Sequence, residues 1–262
     1  MLGLGGKPKQ LVNLKESKKD NVLMIKRFSG GGTVVVDHNS LLTTFIGRTD
    51  ALPDVQPYPR EIMQWSSDAI FGPVFDGLKD DVLKNGASDT RAAATKKKTL
   101  VMHSKSCGLN DSRQQLTTAP HIGGATPINV PDFELLENDY VLGVKKMGGN
   151  AQSIVKGGWL HHTSFLWDYV DDHMQYLTLP DKRPDYRSDR PHDDFLVKLE
   201  SHYGSLNNGK NMFFDRVREA TENTFDVEEV SLKETIGLVD EELGGMQAWF
   251  DGKCRTRIIE HD

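Results

Sequence analysis

Lys26-Arg27-Phe28-Ser29-Gly30-Gly31-Gly32-Thr33 sets three consecutive glycines at the entry to an apolar, β-branched run. Glycine loses more backbone entropy on folding than any other residue, so such a string is kept where a Cβ would obstruct a neighbour or a ligand. Exposed loop amides can bind anionic oxygens, and Arg27 can grip a phosphate or carboxylate with two prongs. Alone, the string fits a flexible turn equally well. It is not a Walker A loop, because no lysine follows the glycines. Gly5-Gly6-Lys7 fails as well, with Pro8 where the magnesium-binding hydroxyl belongs.

Just downstream, Thr33-Val34-Val35-Val36 and the run from Leu41 to Ile46 flank the turn formers Asp37-His38-Asn39-Ser40, which predicts a β-hairpin. Pro59 then precedes Ile62, Trp65, Ala69 and Ile70 at helical spacing, and Gly72-Pro73 is expected to end that helix. Residues 77–131 are rich in Lys, Ser, Thr, Ala and Gly, include Lys96-Lys97-Lys98 and lack hydrophobic periodicity. They read as a disordered insertion, in which a lysine triplet is ordinarily solvated linker.

From Phe133 onward, Asp139–Val144 and Leu160–Tyr169 are predicted strands, joined by a glycine-rich loop. That loop, within Gly143-Val144-Lys145-Lys146-Met147-Gly148-Gly149-Asn150-Ala151-Gln152, puts a lysine beside paired glycines, where its charge could meet a phosphate or acyl oxygen. If alternation continues from Val141, Lys145 and Lys146 face opposite sides and only one reaches a pocket. In Trp159-Leu160-His161-His162-Thr163-Ser164-Phe165-Leu166-Trp167-Asp168, alternation groups His161 with Thr163 and Phe165, and His162 with Ser164 and Leu166. The two histidines therefore cannot chelate one metal, and each fits a core hydrogen-bonding role as readily as a cavity wall.

Pro180–Arg190 mixes prolines with Arg and Asp and must be a loop: either solvated surface or a charged network over a site. Asp193-Asp194 is expected to open a helix carrying Phe195, Leu196, Leu199 and Tyr203, and a second helix to carry Met212, Phe213, Val217 and Ala220. A strand at Phe225–Val227 and a helix with Leu232, Ile236, Val239 and Leu243 follow. The expectation is one α+β domain over residues 1–262, a mixed or antiparallel sheet flanked by helices.

The chain has 262 residues, a net charge of −6 and a pI near 5.9. An acidic balance argues against nucleic acid as a partner, and the lack of any long apolar run argues against a membrane span. Two cysteines, Cys107 and Cys254, make no disulfide framework and no zinc motif. The N-terminal residues carry no legible secretory or transit signal.

Taken in order, the three strings resemble the lipoate-protein ligases of the biotin/lipoate protein ligase family. A basic pair, one residue and Ser-Gly-Gly-Gly leading into a strand stand here as Lys26 to Val34, with the matching Asp37. Lysine, an apolar residue and two glycines stand as Lys146-Met147-Gly148-Gly149, which selects Lys146 over Lys145; a His-His pair stands as His161-His162. Gly-Gly-Asn-Ala-Gln, His-His-Thr-Ser-Phe-Leu-Trp-Asp and Arg-Pro-Asp-Tyr-Arg-Ser-Asp-Arg look most like a eukaryotic branch.

The resemblance implies a domain like those of biotin ligases and class II aminoacyl-tRNA synthetases. It implies ATP- and Mg²⁺-dependent activation of lipoate or octanoate as an acyl-adenylate. Transfer would follow to a lysine of a lipoyl carrier domain, such as a 2-oxoacid dehydrogenase acyltransferase subunit or the glycine cleavage H protein, in mitochondria. Lys146 would be catalytic, with Arg27, Ser29, Gly30, Gly31, Gly32, Thr33, Asp37, Gly148, Gly149, Asn150, Ala151, His161 and His162 around the ligand and apolar residues such as Leu160 and Leu166 along the acyl tunnel.

The departures are Lys26 for arginine, Ser40 for an asparagine that serves nucleotide and metal, and a start so late that an N-terminal helix and strand are expected to be missing. Metal ligands are not assigned. The alternatives are an octanoyl or lipoyl amidotransferase, which would need a pocket cysteine, and a non-catalytic lipoate-binding homologue.

Overall fold

A computed structural model describes residues 1–85, 129–179, 183–252 and 255–260. The greater part of the expected insertion, residues 86–128, lies outside them with Lys96–Lys98 and Cys107, as do Cys254 and residues 180–182.

Two short helices, α1 (Pro8–Leu11) and α2 (Leu14–Lys19), precede strand β1 (Met24–Lys26). Then comes β2 (Ser40–Arg48), but residues 33–36 do not pair with it, and the expected hairpin is absent. Val34 instead exchanges backbone hydrogen bonds with Met1, while β2 takes β6 as its partner. Propensity marks 33–36 as extended; it does not say which strand completes the ladder.

Helix α3 (Pro59–Ser66) does not end at Gly72-Pro73 either. A π-helical turn, Ser67–Phe71, joins it to α4, residues 72–85. The Gly72 amide reaches back to Ser67 O, and widening the turn there accommodates a proline that has no N–H to give. Residues 77–85, assigned to the insertion on composition, are thus helical, with Leu78 and Val82 buried.

Strands β3 (Phe133–Leu136), β4 (Asp139–Leu142), β5 (Lys145–Val155) and β6 (Gly158–Leu166) complete an antiparallel sheet of order β2-β6-β5-β4-β3. The glycine-rich "loop" is therefore β5, an 11-residue strand near the middle of the sheet. Beyond it, α5 (His192–Phe195) and α6 (Glu200–Tyr203) replace the one helix expected there. Helix α7 (Gly209–Glu222) follows; residues 225–227 form no strand, and α8 (Leu232–Leu243), α9 (Met246–Gly252) and β7 (Arg257–Ile259) end the chain. Among the described residues, strand β7 pairs only with β1.

The fold is α+β, an antiparallel sheet flanked by helices, with α4 and α7 packed on one face in the main core. Phe165 of β6 is fully buried among Phe71, Phe75, Tyr140 and Phe213, with ring centroids 4.8–6.0 Å apart. The opposite face of β2, β5 and β6 carries the site.

Candidate functional site

A cavity of about 420 Å³ lies on that face, within the ~300–1,000 Å³ typical of small-ligand pockets. Apolar side chains from the 34–36 segment and from Leu42, Leu166, Met174 and Leu177 form much of its wall. Arg27, Lys146 and Arg187 also border it, with no Asp or Glu among the lining residues.

The triple-glycine loop is drawn onto the sheet by a hydrogen bond from Gly30 N to Gln152 O at 2.9 Å. Arg27, only 7% exposed, donates from Nη2 to Gly30 O (2.9 Å) and Gly32 O (2.7 Å), so it shapes the loop from within. Gly31 has φ +92°, and a Cβ there would lie 2.7 Å from Asn150 O. Gly32 borders the cavity, and a Cβ on it would meet nothing within 4 Å. The two glycines thus differ: one permits close backbone approach, the other leaves the cavity side open.

Lys146 reaches the cavity through a β-bulge. Tyr140 pairs with Gly148 but Val141 with Lys146, leaving Met147 as the extra residue. Met147 and Gly148 both turn to the buried side, and the parity change delivers Lys146 to the cavity. Its Nζ donates to Asp139 Oδ1 at 2.6 Å, and Asp139 Oδ2 accepts from the Tyr186 hydroxyl at 2.9 Å. Burial, and then the charge of Asp139, push the Tyr186 hydroxyl pKa up, so it remains a donor. Asn150 takes the Thr163 hydroxyl on Oδ1 (2.9 Å) and donates to Asn138 O (3.2 Å), while Gly149 and Ala151 floor the cavity between Lys146 and the glycine loop.

The histidines separate as the alternation predicts. His162 borders the cavity with Nδ1 2.8 Å from Thr44 Oγ1, and burial followed by the charge of Arg27 lowers its pKa. His161 is fully buried on the helix side, 2.9 Å from Gln152 Nε2 and 3.1 Å from Ser66 Oγ, and burial brings its pKa down to about 4. It does not border the cavity.

The structure therefore gathers Arg27, Gly32, Thr33, Lys146, Gly149, Asn150, Ala151 and His162 around one space. Ser29, Gly30, Gly31 and Gly148 lie behind it, supporting the loop or strand. Asp37 also stands outside, accepting from Asn39 N (2.9 Å), Ser40 Oγ (3.4 Å) and Val170 N (3.4 Å). Leu166 borders the cavity; Leu160 lines a separate shallow groove beside Trp159.

Arg187, His192 and Phe195 are wall residues that the sequence did not single out. Arg187 stacks over the Phe195 ring at 4.5 Å. The Arg/Asp-rich string around it was the available signal, and it forms the network reading of that loop: Arg190 donates to Val144 O (3.1 Å) and Tyr186 O (2.7 Å), and Arg183 pairs with Asp189.

Buried polar atoms without a partner among the described residues include Arg27 Nε, Thr33 Oγ1, Thr43 Oγ1 and Arg187 Nη2, all on residues that border the cavity. Unpaired donors beside an apolar space with cationic walls fit an amphiphilic ligand with an anionic head. No cluster of three or more His, Cys, Asp or Glu that could hold a metal exists among the described residues.

Residues 1–70 match the lipoyl protein ligase A/B catalytic domain. The chain is 26% identical over 215 residues to the "inactive lipoate–protein ligase 2" of Plasmodium falciparum, covering 76% of this chain and 47% of that protein. The chain thus spans about half the length of this curated relative. Among solved structures, lipoate-protein ligase A bound with ATP aligns with a TM-score of 0.53 at 16% identity, over 96% of this chain and 77% of the other. A bipartite lipoate protein ligase from Thermoplasma acidophilum, described with its E2 lipoyl domain, aligns at 0.55 and 16%, over 96% and 75%. At such identities the likeness establishes the fold.

Proposed function

We propose that the chain is a member of the biotin/lipoate protein ligase family, which the match of residues 1–70 and the curated relative support, and that its cavity takes up lipoate, or octanoate, together with ATP and forms the acyl-adenylate for protein lipoylation. The observation that carries this reading is the cavity itself: an apolar space bordered by Arg27, Lys146 and Arg187 with no carboxylate in its lining. A medium-chain acid would lie along the apolar wall with its carboxylate toward the cations.

The carboxylate oxygen attacks the α-phosphorus of ATP and pyrophosphate leaves. The carrier lysine's amine then attacks the acyl carbonyl, loses a proton and expels AMP. Negative charge grows on the carbonyl oxygen in that second step, where an ammonium held beside it lowers the barrier. In this reading Lys146 supplies that ammonium and Arg27 with the loop amides meets the phosphate, supported by their common place on the cavity wall. His162, held neutral, adds a hydrogen-bonding edge without competing for the anion. Magnesium would come with the nucleotide, and no step above depends on a protein-built metal site. Lipoyl carrier domains are the proposed acceptors and mitochondria the proposed setting, the latter supported by the eukaryotic-branch strings alone.

A second reading has a specific observation behind it. The curated relative is named inactive, and Ser40, standing where an asparagine is expected, does not border the cavity. The chain would then bind the acid without activating it. One experiment separates the two: protein, ATP, Mg²⁺, lipoate and an unmodified lipoyl domain are incubated, and the domain's mass is followed beside a Lys146→Ala control. A nucleotide-dependent mass gain that the substitution slows steeply supports the ligase. Gain only from an acylated donor protein without ATP supports an amidotransferase, and saturable lipoate binding with no gain supports the binder.

A further inference from the structure

Lys146 lies beyond the β5–β6 ladder, which begins at Gly148, and is held from elsewhere. Its ammonium donates to Asp139, which is only 7% exposed and whose second oxygen takes the Tyr186 hydroxyl. Its backbone carbonyl accepts from Val197 N at 2.9 Å. Tyr186 is fixed in turn: its amide donates to Glu137 Oε1 (3.1 Å) and its ring packs 5.3 Å from Phe195, a wall residue of the cavity. One segment, residues 183–197, therefore grips Lys146 at both side chain and backbone.

A lysine side chain is flexible, and its ammonium is useful at a reacting carbonyl only if it is held still. We propose that Tyr186 is a positioning residue for Lys146, holding the ammonium through Asp139 and tying its placement to segment 183–197. The inference rests on the reading of Lys146 as the group at the acyl carbonyl. Tyr186 does not itself touch the cavity, so its effect falls on the rate of the chemical step rather than on ligand capture. The Phe195 packing survives in Tyr186→Phe, which removes only the hydroxyl.

The test pairs kinetics with a direct view of the ammonium. In the full chain carrying ¹⁵N-lysine, the Lys146 ammonium signal is assigned by its loss in Lys146→Arg and should exchange slowly with water. Tyr186→Phe should broaden it, Asp139→Asn should abolish it, and kcat for lipoyl transfer to an unmodified lipoyl domain should fall about tenfold in Tyr186→Phe with KM for lipoate nearly unchanged. Added to Lys146→Ala, Tyr186→Phe should lower the rate no further, whereas a purely structural role would lower it in both backgrounds. An unchanged ammonium signal and unchanged kcat in Tyr186→Phe overturn the proposal. If the wild type transfers no lipoyl group yet its ammonium signal still depends on Tyr186, the positioning stands and the ligase reading falls.

Discussion

Arg27 Nη2 lies 2.7 Å from the carbonyl oxygen of Gly32, so the arginine that faces the cavity also closes the loop that forms its rim. The same nitrogen donates to Gly30 O, so one end of the guanidinium serves the loop while the rest stays at the cavity, a division that the single ammonium of a lysine cannot reproduce. Arg27→Lys should keep the charge yet weaken lipoate binding about tenfold or more, as calorimetric titration would read. Retained affinity would mean that charge alone, without loop geometry, serves binding.

Gly31 and Gly32 should part under the same substitution. Gly31→Ala puts a Cβ at φ +92° against Asn150 O and should destabilise the fold by about 1–3 kcal/mol, measured by urea unfolding. Gly32→Ala meets nothing and should leave stability within about 0.5 kcal/mol. It should nevertheless weaken lipoate binding, because its methyl intrudes on the cavity.

His161 makes stability depend on acid. Its pKa is about 4 when folded against 6.5 unfolded. Above pH 6.5 both states hold it neutral; between 6.5 and 4 only the unfolded chain takes up the proton, so stability falls as pH falls. The loss attributable to this residue is about 3 kcal/mol across that window. Unfolding free energies of the wild type and His161→Gln, compared from pH 7 to pH 4, should show a smaller slope in the variant, although His162, His192 and His202, lowered by burial too, keep some slope in both.

Phe165 and Ile236 should behave as opposites although both are apolar residues set at the period of their elements. Phe165→Ala, at the centre of the aromatic cluster and fully buried, should cost about 3–5 kcal/mol. Ile236 is 42% exposed on α8, a helix with no buried residue, and Ile236→Ala should cost under about 1 kcal/mol. Thermal unfolding of the two variants in parallel reads the contrast directly.

The alternation of β6 was legible because the sheet has one buried and one cavity face, and period-two burial writes itself into residue types from His161 to Leu166. The apolar stripes of α7 and α8 were legible for the same reason at helical period, though only α7 turned out to bury its own. Strand β5 was not, since Gly148, Gly149 and Asn150 carry loop propensity. They are strand residues here because Phe165 needs the space a Gly148 Cβ would take and because β4 and β6 pair with Gly148 and Gly149 on both sides while β6 pairs with Asn150. Gly72-Pro73 misled in the opposite direction, as a π turn let the helix run through a dipeptide that ordinarily stops one.

By itself the sequence determined the chemistry on offer: the glycine loop, its arginine, one useful lysine beside a glycine pair, and two histidines that must face apart. Those follow from residue type and local period, which need no partner. Only the tertiary structure decided which of these groups meet. The bulge at Met147 turned Lys146 to the cavity, Asp139 and Tyr186 fixed its ammonium, and Arg187 came into the wall from about forty residues away. Register shifts and long-range closure depend on what pairs across the sheet, and a chain read one window at a time does not contain that information.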